Sequence, residues 1–508
     1  MVGAVNHSND CLQKTVGSRL TTLSRLTTFD FDCPAATPLF CHALKSIHFT
    51  SPKPFAMTIR FLFLLLFTPY IISTHAQPAR YQAAIDSARS LVERVVAFSD
   101  IPGAAVSVSV GGEIVWSEGF GYADLEQQVP VAPDKTKFRI GSVSKPMTAA
   151  ALGVLYDEGK VNLDVPVQKY VPDFPEKRWP ITLRLLAGHL AGVRHYRGEE
   201  FLSSRRYASV GEGLSIFADD TLLFEPGQRF SYTSYGWNLI SAAVEGASGE
   251  DFLSYMQETV FKPLGMNNTT ADYTDSLVAF RTRFYEKTED GTTINAPYVD
   301  NSYKWAGGGF LSTTEDLARF GHAHINPGFL SDTTLRLWHT PMKNNAGDPT
   351  GYGVGWFVNV DGLGEEWFGH GGGSVGGITQ LIIYPYSEIV VALLTNSGRV
   401  DYGDTHHRIA RLFMPEGLEY RALDEEALQP FLGDYLIDGN TPALAILENG
   451  RLYFSRRGGL PELLIPMVDG SFHSLGNAWF RFRTNEEDKM EVVIARPGME
   501  EGVIGVKQ

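Results

Sequence analysis

A serine followed three residues later by a lysine, Ser142-Val-Ser-Lys145, stands at the head of an apolar run that ends at Gly159. Three residues apart in the first turn of a helix, the two side chains share one face. A serine hydroxyl is a weak nucleophile that needs a neighbouring base, and a lysine becomes one when burial lowers its pKa. The helix N-terminus favours negative charge developing near Ser142, and Pro146 fits only so close to a helix start. Alone, the pair reads equally well as a capping serine and a solvated lysine. It gains weight because no other serine of the chain has lysine at the third position after it.

A second element is Pro226-Gly-Gln-Arg-Phe230-Ser-Tyr232-Thr-Ser234-Tyr-Gly-Trp237. A phenol near Lys145 relays protons as general base and acid; the plainer reading of Tyr232 is a half-buried core tyrosine. A third is Trp367-Phe-Gly-His370-Gly-Gly-Gly-Ser374, leading into a strand. Its glycines let a substrate approach the backbone and leave N–H groups for an oxyanion; the plainer reading is a glycine hairpin with an incidental histidine. Other candidates fail on geometry. His322 and His324 are two apart on an expected helix and point away from each other. Asp404-Thr-His-His407 reads as a solvated turn, and His189 as a hydrogen-bonded structural residue inside an apolar helix. The glycine run lacks the strand-to-helix context of a phosphate loop.

The elements that must position these residues follow from periodicity. A helix over 81–98 precedes alternating strands at 105–110 and 114–117 joined by Gly111-Gly112. A helical pattern runs from Lys160 to about Ile294. Ser312-Thr-Thr-Glu315 is a capping box opening a helix over 316–323, and 378–396 is strand-like twice. After Pro415 come short alternating runs at 443–447, 451–456, 462–465, 471–475, 479–483 and 491–495. These make a small antiparallel β domain in which Trp479 and Phe480 are expected in the core.

With 508 residues, 44% hydrophobic and 12% aromatic, the chain allows two or three globular units and is neither wholly disordered nor a multi-span membrane protein. Its formal charge of −15 repels phosphate backbones, so nucleic acid is not an expected partner. Residues 61–67 (FLFLLLF) follow Arg60 and precede Ser73-Thr-His-Ala76. That is the make-up of a secretory signal starting at Met57 and cleaved after Ala76, and it is too short to span a bilayer stably. Export to a periplasm or the exterior is expected, a mitochondrial transit segment being the alternative. Cys11, Cys33 and Cys41 all fall in this leader. The remainder therefore has no disulfide, thiolate metal site or cysteine nucleophile. The expected organisation is a leader over 1–76, a large α/β unit over 77–415 and a β domain over 416–508.

In order, Ser142/Lys145, Tyr232 and His370-Gly-Gly372 resemble the three motifs of serine β-lactamases and penicillin-binding proteins. The branch is that of class C β-lactamases, D-alanyl-D-alanine carboxypeptidases and family VIII carboxylesterases. Ile101-Pro-Gly-Ala-Ala105, Pro226-Gly-Gln-Arg-Phe230, Pro263-Leu-Gly-Met266 and Gly308-Gly-Phe-Leu-Ser-Thr313 carry the likeness along residues 100–400. Gly188-His-Leu-Ala-Gly-Val-Arg-His-Tyr196 and the stretch 296–310 resemble the mitochondrial members of that branch. The resemblance implies a β-lactamase/transpeptidase-like fold of α+β type, an antiparallel sheet flanked by helices, with a lipocalin-like C-terminal domain.

The resemblance also implies an acyl-serine mechanism. Ser142 attacks, Lys145 and Tyr232 handle its proton, and the N–H groups of Ser142 and Gly373 form the oxyanion hole. Ser234, His370 and Gly372 meet the substrate, a small acyl, ester or peptide compound, and no cofactor or metal is required. Two positions depart from the pattern. Ser234 replaces an asparagine, losing the two-sided contact to a substrate amide. His370 replaces the lysine of many β-lactamases, losing a permanent charge for a substrate carboxylate. Peptidase or esterase activity is therefore expected ahead of β-lactamase activity. The alternative is a silent ligand-binding or self-assembling scaffold.

Overall fold

The computed structural model describes residues 79–414 and 423–508, apart from 449, 457–458, 468, 475–477 and 496–501. The leader expected over 1–76, with its three cysteines, lies outside the described residues. Helix α1 (Gln82–Phe98) leads into strands β1 (Gly103–Val110), β2 (Glu113–Asp124) and β3 (Val129–Pro130). Gly111 and Gly112 close the hairpin with φ of +59° and +86°, the left-handed pair that a two-residue turn demands. Helices α2 (Ser144–Asp157), α3 (Ser234–Ser248) and α4 (Thr314–His322) follow. Then come β4 (Phe357–Val360), β5 (Glu366–Ser374), β6 (Gly377–Tyr384), β7 (Ile389–Thr395) and α5 (Thr405–Phe413).

These strands form one antiparallel sheet in the order β3-β2-β1-β7-β6-β5-β4. The early hairpin thus meets the late strands at its centre, with β1 paired to β7 from Ala104↔Thr395 to Val110↔Ile389. Side chains alternate across it with period two. Val106, Val108, Ile382, Val391 and Leu393 pack with α1 and α5. Ala105, Leu381, Ile383, Val390 and Leu394 face α2, α3 and α4. Because both faces are covered, β7 is buried at every residue and reads as a continuous apolar run.

The helical stretch expected between Lys160 and Ile294 is mostly loop. Beside α3 its helix comes in short turns: Val167–Lys169, Leu183–Ala187, Gly198–Leu202, Val210–Leu214 and Phe252–Tyr255 continuing into Met256–Phe261. It ends in a small hairpin, Tyr285–Lys287 against Thr293–Asn295. Prolines at 166, 172, 175, 180 and 226 push the residues before them out of helical space. The helix at Leu183 stops at Ala187 because His189 takes a left-handed φ of +59°, so His189 lies beyond the helix rather than inside it. The capping register is also one residue later than expected. Thr313, not Ser312, is the N-cap of α4, its hydroxyl accepting from Asp316 N–H at 3.2 Å.

Eight C-terminal strands run up and down in sequence order and close into a barrel. Six match the alternating runs. The two not expected, Gly433–Ile437 and Val503–Lys507, pair with each other and complete the closure, Tyr435↔Lys507 to Ile437↔Gly505. Tyr435, Phe454, Phe472 and Phe480 fill the barrel. Trp479 is on its exterior, 37% exposed, because neighbours along a strand point to opposite sides.

Asp404-Thr-His-His407 is not a solvated turn. Asp404 is 2% exposed and precedes α5, where its carboxylate accepts the Leu463 N–H of the barrel at 3.0 Å. His407 Nδ1 lies 2.7 Å from the Tyr384 hydroxyl, and Leu460 joins the core cluster beneath α1 and α5. The seam between sheet and barrel is therefore both apolar and hydrogen-bonded.

Candidate active site

The start of α2 is fixed from three sides. Phe138–Arg139 pairs with Phe310–Ser312, and Ile140 N–H donates to the Phe310 carbonyl at 3.2 Å. The chain then turns through Gly141, with φ +50°, into a single 3-10 turn, Gly141–Val143, that carries Ser142 into α2. Strand β5 lies flush against this turn. A Cβ on Gly372 would drive into the Ile140 carbonyl and stand 3.2 Å from Ser142 N, while one on Gly141 would stand 2.6 Å from the Gly373 carbonyl oxygen. Arg139 ties the approach together, donating to the Val375 carbonyl at 2.8 Å and to the buried Asp272 at 2.7 Å.

Lys145 is wholly buried. Its Nζ lies 2.9 Å from Ser142 Oγ and 3.0 Å from Ser234 Oγ, and it donates to the Gly307 carbonyl at 2.6 Å. Among the described residues no carboxylate pairs with it. Burial, with the like charge of Lys304 second, holds the amine well below the ordinary lysine range. Gly307 belongs to a short turn, Trp305–Gly308, and a Cβ there would press on Ser234 at 2.9–3.0 Å.

Tyr232 precedes the N-cap Thr233 of α3 and is held by two histidines. Thr233 N–H donates to His189 Nδ1, and Ser234 N–H to His195 Nδ1, both at 3.1 Å. The His189 ring packs on Tyr232 at 4.3 Å between centres, and Lys145 Nζ lies 4.8 Å from the Tyr232 ring centre. Burial pushes the Tyr232 phenol up, with a hydrogen bond to Ser142 partly offsetting it. It is therefore protonated at neutral pH and suited to donating.

His370, 3% exposed, has both nitrogens engaged. Nδ1–H donates to the Gly371 carbonyl at 2.6 Å, which leaves Nε2 to accept the Tyr352 hydroxyl at 3.0 Å. The Tyr232 hydroxyl is farther, at 3.5 Å. Burial first, then the charge on Lys145, pushes His370 down to about 3, so it carries no charge in the neutral range.

The structure thus brings Ser142, Lys145, Tyr232, Ser234, His370, Gly372 and Gly373 together, Gly373 with its backbone exposed at the mouth. Sequence reasoning missed Tyr352, Gly307, His195 and Lys304. Lys304 and Gly307 sit in the stretch 296–310 and His195 in 188–196, whose likeness assigns them no role, and no spacing rule marks Tyr352. Among the described residues no group of three or more His, Cys, Asp and Glu is placed to hold a metal. No helix there is long and apolar enough to cross a membrane.

An antiparallel sheet between helices, with a serine–lysine pair at the head of a buried helix, defines a serine-hydrolase-type β-lactamase/transpeptidase fold. The beta-lactamase family model matches residues 88–412. The human "Serine beta-lactamase-like protein LACTB, mitochondrial" is 33% identical over 455 residues, spanning 68% of this chain and 83% of that protein. "Penicillin-binding protein 4*" of Bacillus subtilis is 25% identical over 432 residues, spanning 79% and 94%. Among solved structures, the octameric penicillin-binding protein homologue from Pyrococcus abyssi superposes with a TM-score of 0.56 at 24% identity, over 83% of this chain and 99% of that one. The chain belongs to the beta-lactamase family.

Proposed function

We propose that this protein is a serine hydrolase that works through an acyl-Ser142 intermediate on ester or peptide substrates, with weak or no β-lactamase activity. The observation that carries the reading is a buried lysine amine with no counter-charge, 2.9 Å from a serine hydroxyl at a helix start. A neutral amine has a lone pair, and Lys145 Nζ accepts the Ser142 proton as Oγ bonds to the acyl carbon. The oxyanion lies against the N–H groups of Ser142 and Gly373. Collapse breaks the bond to the alcohol or amine. That leaving group takes the Tyr232 proton, and Tyr232 takes one back from Lys145. Water then attacks the acyl carbon, gives its proton to the same groups, and frees the acid and Ser142.

Ser234, His370 and Gly372 line the acyl pocket in this scheme. A neutral His370 offers no fixed charge to a substrate carboxylate, and the Ser234 hydroxyl is engaged by Lys145. Both features favour neutral ester and amide groups over β-lactams. The chain is further proposed to act as an exported protein or, as the human relative's name suggests, a mitochondrial one. Its hydrolase unit would span 77–415, with the barrel unit over 416–508.

The test is intact mass after exposure to a fluorophosphonate, beside hydrolysis of a p-nitrophenyl ester and of benzylpenicillin. A Ser142-dependent adduct is expected. Ester hydrolysis should fall by about 10³-fold or more in Ser142→Ala, with no further loss in Ser142→Ala/Tyr232→Phe, because the groups act as a unit. Benzylpenicillin turnover should trail the ester. Substantial hydrolysis by Ser142→Ala would sink the scheme.

A further inference from the structure

Lys304 is a second buried lysine, 2% exposed, that the steps above do not use. Its Nζ stands in a box of three rings, 4.2 Å from the centre of Phe201, 5.3 Å from Tyr303 and 5.5 Å from Tyr196. Among the described residues no carboxylate lies within ion-pairing distance of it. Asp272, the acid whose field reaches it, is already engaged. It accepts Arg139 Nε at 2.7 Å, Asn301 Nδ2 at 2.9 Å and Arg281 at 3.2 Å. The Glu200 carboxylate is held by Arg194 and by the Tyr235 hydroxyl, while its backbone carbonyl accepts the Tyr303 hydroxyl at 2.8 Å. Arg139 adds a like charge. Ring faces offset part of the cost of a buried cation, but without a counter-ion that cost remains high. Burial first, then Arg139, brings Lys304 down to about 7.

Two connections run from this box to the serine–lysine pair. Lys304 immediately precedes the turn Trp305–Gly308, whose Gly307 carbonyl accepts from Lys145 Nζ. Tyr196, one wall of the box, packs on His195 at 4.3 Å between ring centres, His195 in turn holds the backbone of Ser234, and Ser234 Oγ is 3.0 Å from Lys145 Nζ. His195, whose Nδ1 accepts from Ser234 N–H, feels both lysines and is pushed down to about 4, mainly by burial. We propose that Lys304 is a positioning residue for the base: its uncompensated charge, boxed by Tyr196, Phe201 and Tyr303, keeps Lys145 a free amine able to take the Ser142 proton. A charge on Lys304 opposes a proton on Lys145, as any nearby like charge does. The inference rests on the hydrolase reading given above.

The experiment is the pH dependence, from 5 to 10, of the rate at which a biotinylated fluorophosphonate labels the full chain. Wild type, Lys304→Met and Lys304→Arg are compared. Lys304→Met should move the acid limb upward by about one pH unit, as removal of a nearby like charge does. Labelling is then about tenfold slower on the acid side, with the alkaline plateau little changed. Lys304→Arg, which never discharges, should hold the limb at or below its wild-type position. A limb that stays put in Lys304→Met while the plateau falls at every pH would make Lys304 a packing residue and overturn the proposal. Should Lys304→Met fail to fold, an upward shift in Lys304→Arg overturns it equally. A wild-type chain without Ser142-dependent labelling overturns the hydrolase reading and takes this inference with it, a result distinct from an unmoved limb.

Discussion

Of the three consecutive glycines in β5, one should be indispensable and its neighbour replaceable. At Gly372 an added Cβ would stand 3.0 Å from the Ile140 carbonyl carbon, with the carbonyl oxygen nearer still, and 3.2 Å from Ser142 N. Non-bonded heavy atoms rest at well over about 3 Å, about 3.5–4.0 Å for carbon pairs, and the carbonyl oxygen sets the limit, so β5 must retreat from the Ser142 turn by about 1 Å or more. The obstacle is backbone, pinned by the Ile140–Phe310 hydrogen bond, and cannot swing aside. Overpacking of this kind costs about 1–3 kcal/mol. A displacement of about 1 Å between reacting groups costs about 10²-fold in rate. At Gly371 the nearest atom is Gln380 Oε1 at 3.2 Å, the tip of a flexible side chain. Gly371→Ala should therefore unfold within about 1–2 °C of wild type and keep its labelling rate within a few-fold, since substitutions that only nudge a surface side chain are near neutral. Gly372→Ala should lose about 1–3 °C and, the sharper readout, about 10²-fold in fluorophosphonate labelling. Differential scanning calorimetry and a labelling time course read both. Equal behaviour of the two variants would refute the argument that β5 is held against Ser142 by the absence of one Cβ.

Acid should unfold the protein early. His324 at about 4, His339 at about 3, His370 at about 3 and His406 at about 4 are all pushed down chiefly by burial. Their folded pKa values lie below the unfolded one, so their full stability is present above about pH 6.5 and is lost as pH falls. Each costs about 1 kcal/mol between pH 6.5 and 5.5. Asp404, raised to about 7 by burial, works in the opposite direction but is outnumbered. The midpoint should drop by about 3 °C over that interval, and a flat profile would contradict the burial of these rings. At the barrel seam, Asp404→Ala leaves the Leu463 N–H without its acceptor and should cost about 1–3 kcal/mol. Amide exchange at Leu463 should speed up accordingly. Asp404→Asn keeps an oxygen there and should leave exchange nearly unchanged; equal exchange in the two variants would dismiss the contact.

What was legible in the sequence was what is local. Ser142 and Lys145 are one helical turn apart, so spacing alone puts them on one face, and 2.9 Å separates the atoms. The glycines of β5 were visible as glycines, but only the approach of Ile140 distinguishes Gly372 from Gly371. Tyr352, whose hydroxyl meets His370 Nε2, lies in a turn with no periodicity to mark it. Gly307 contributes a backbone carbonyl, and the contact with Ser234 that requires a glycine there comes from a segment some seventy residues away, so no local pattern marks it. The two strands that close the barrel are five residues long and interrupted by glycine. Their pairing spans some seventy residues and carries no local signal. Asp404 failed for the opposite reason. A run of Asp, Thr and two histidines is polar by composition, yet the barrel covers it, and tertiary burial overrides residue type.

The chemistry of the site follows from burial more than from any single partner. Lys145, Lys304, His195 and His370 are four nitrogen bases, and each is pushed towards its neutral form chiefly by loss of solvent. A carboxylate placed among them would restore a proton to one of them, because an opposite charge favours the ionised form. Asp272 and Glu200 are near enough to do so, but arginines 139, 281 and 194 already hold them. By occupying the acids, those arginines leave the two lysines without a counter-charge among the described residues. Substituting Arg139 should accordingly favour the proton on Lys304, which its charge now opposes, and loosen the packing of the Ser142 turn. In the proposed hydrolase scheme a neutral His370 offers no fixed charge to an anionic acyl group, so the readiness of Ser142 and a preference for neutral substrates would share one physical origin in burial.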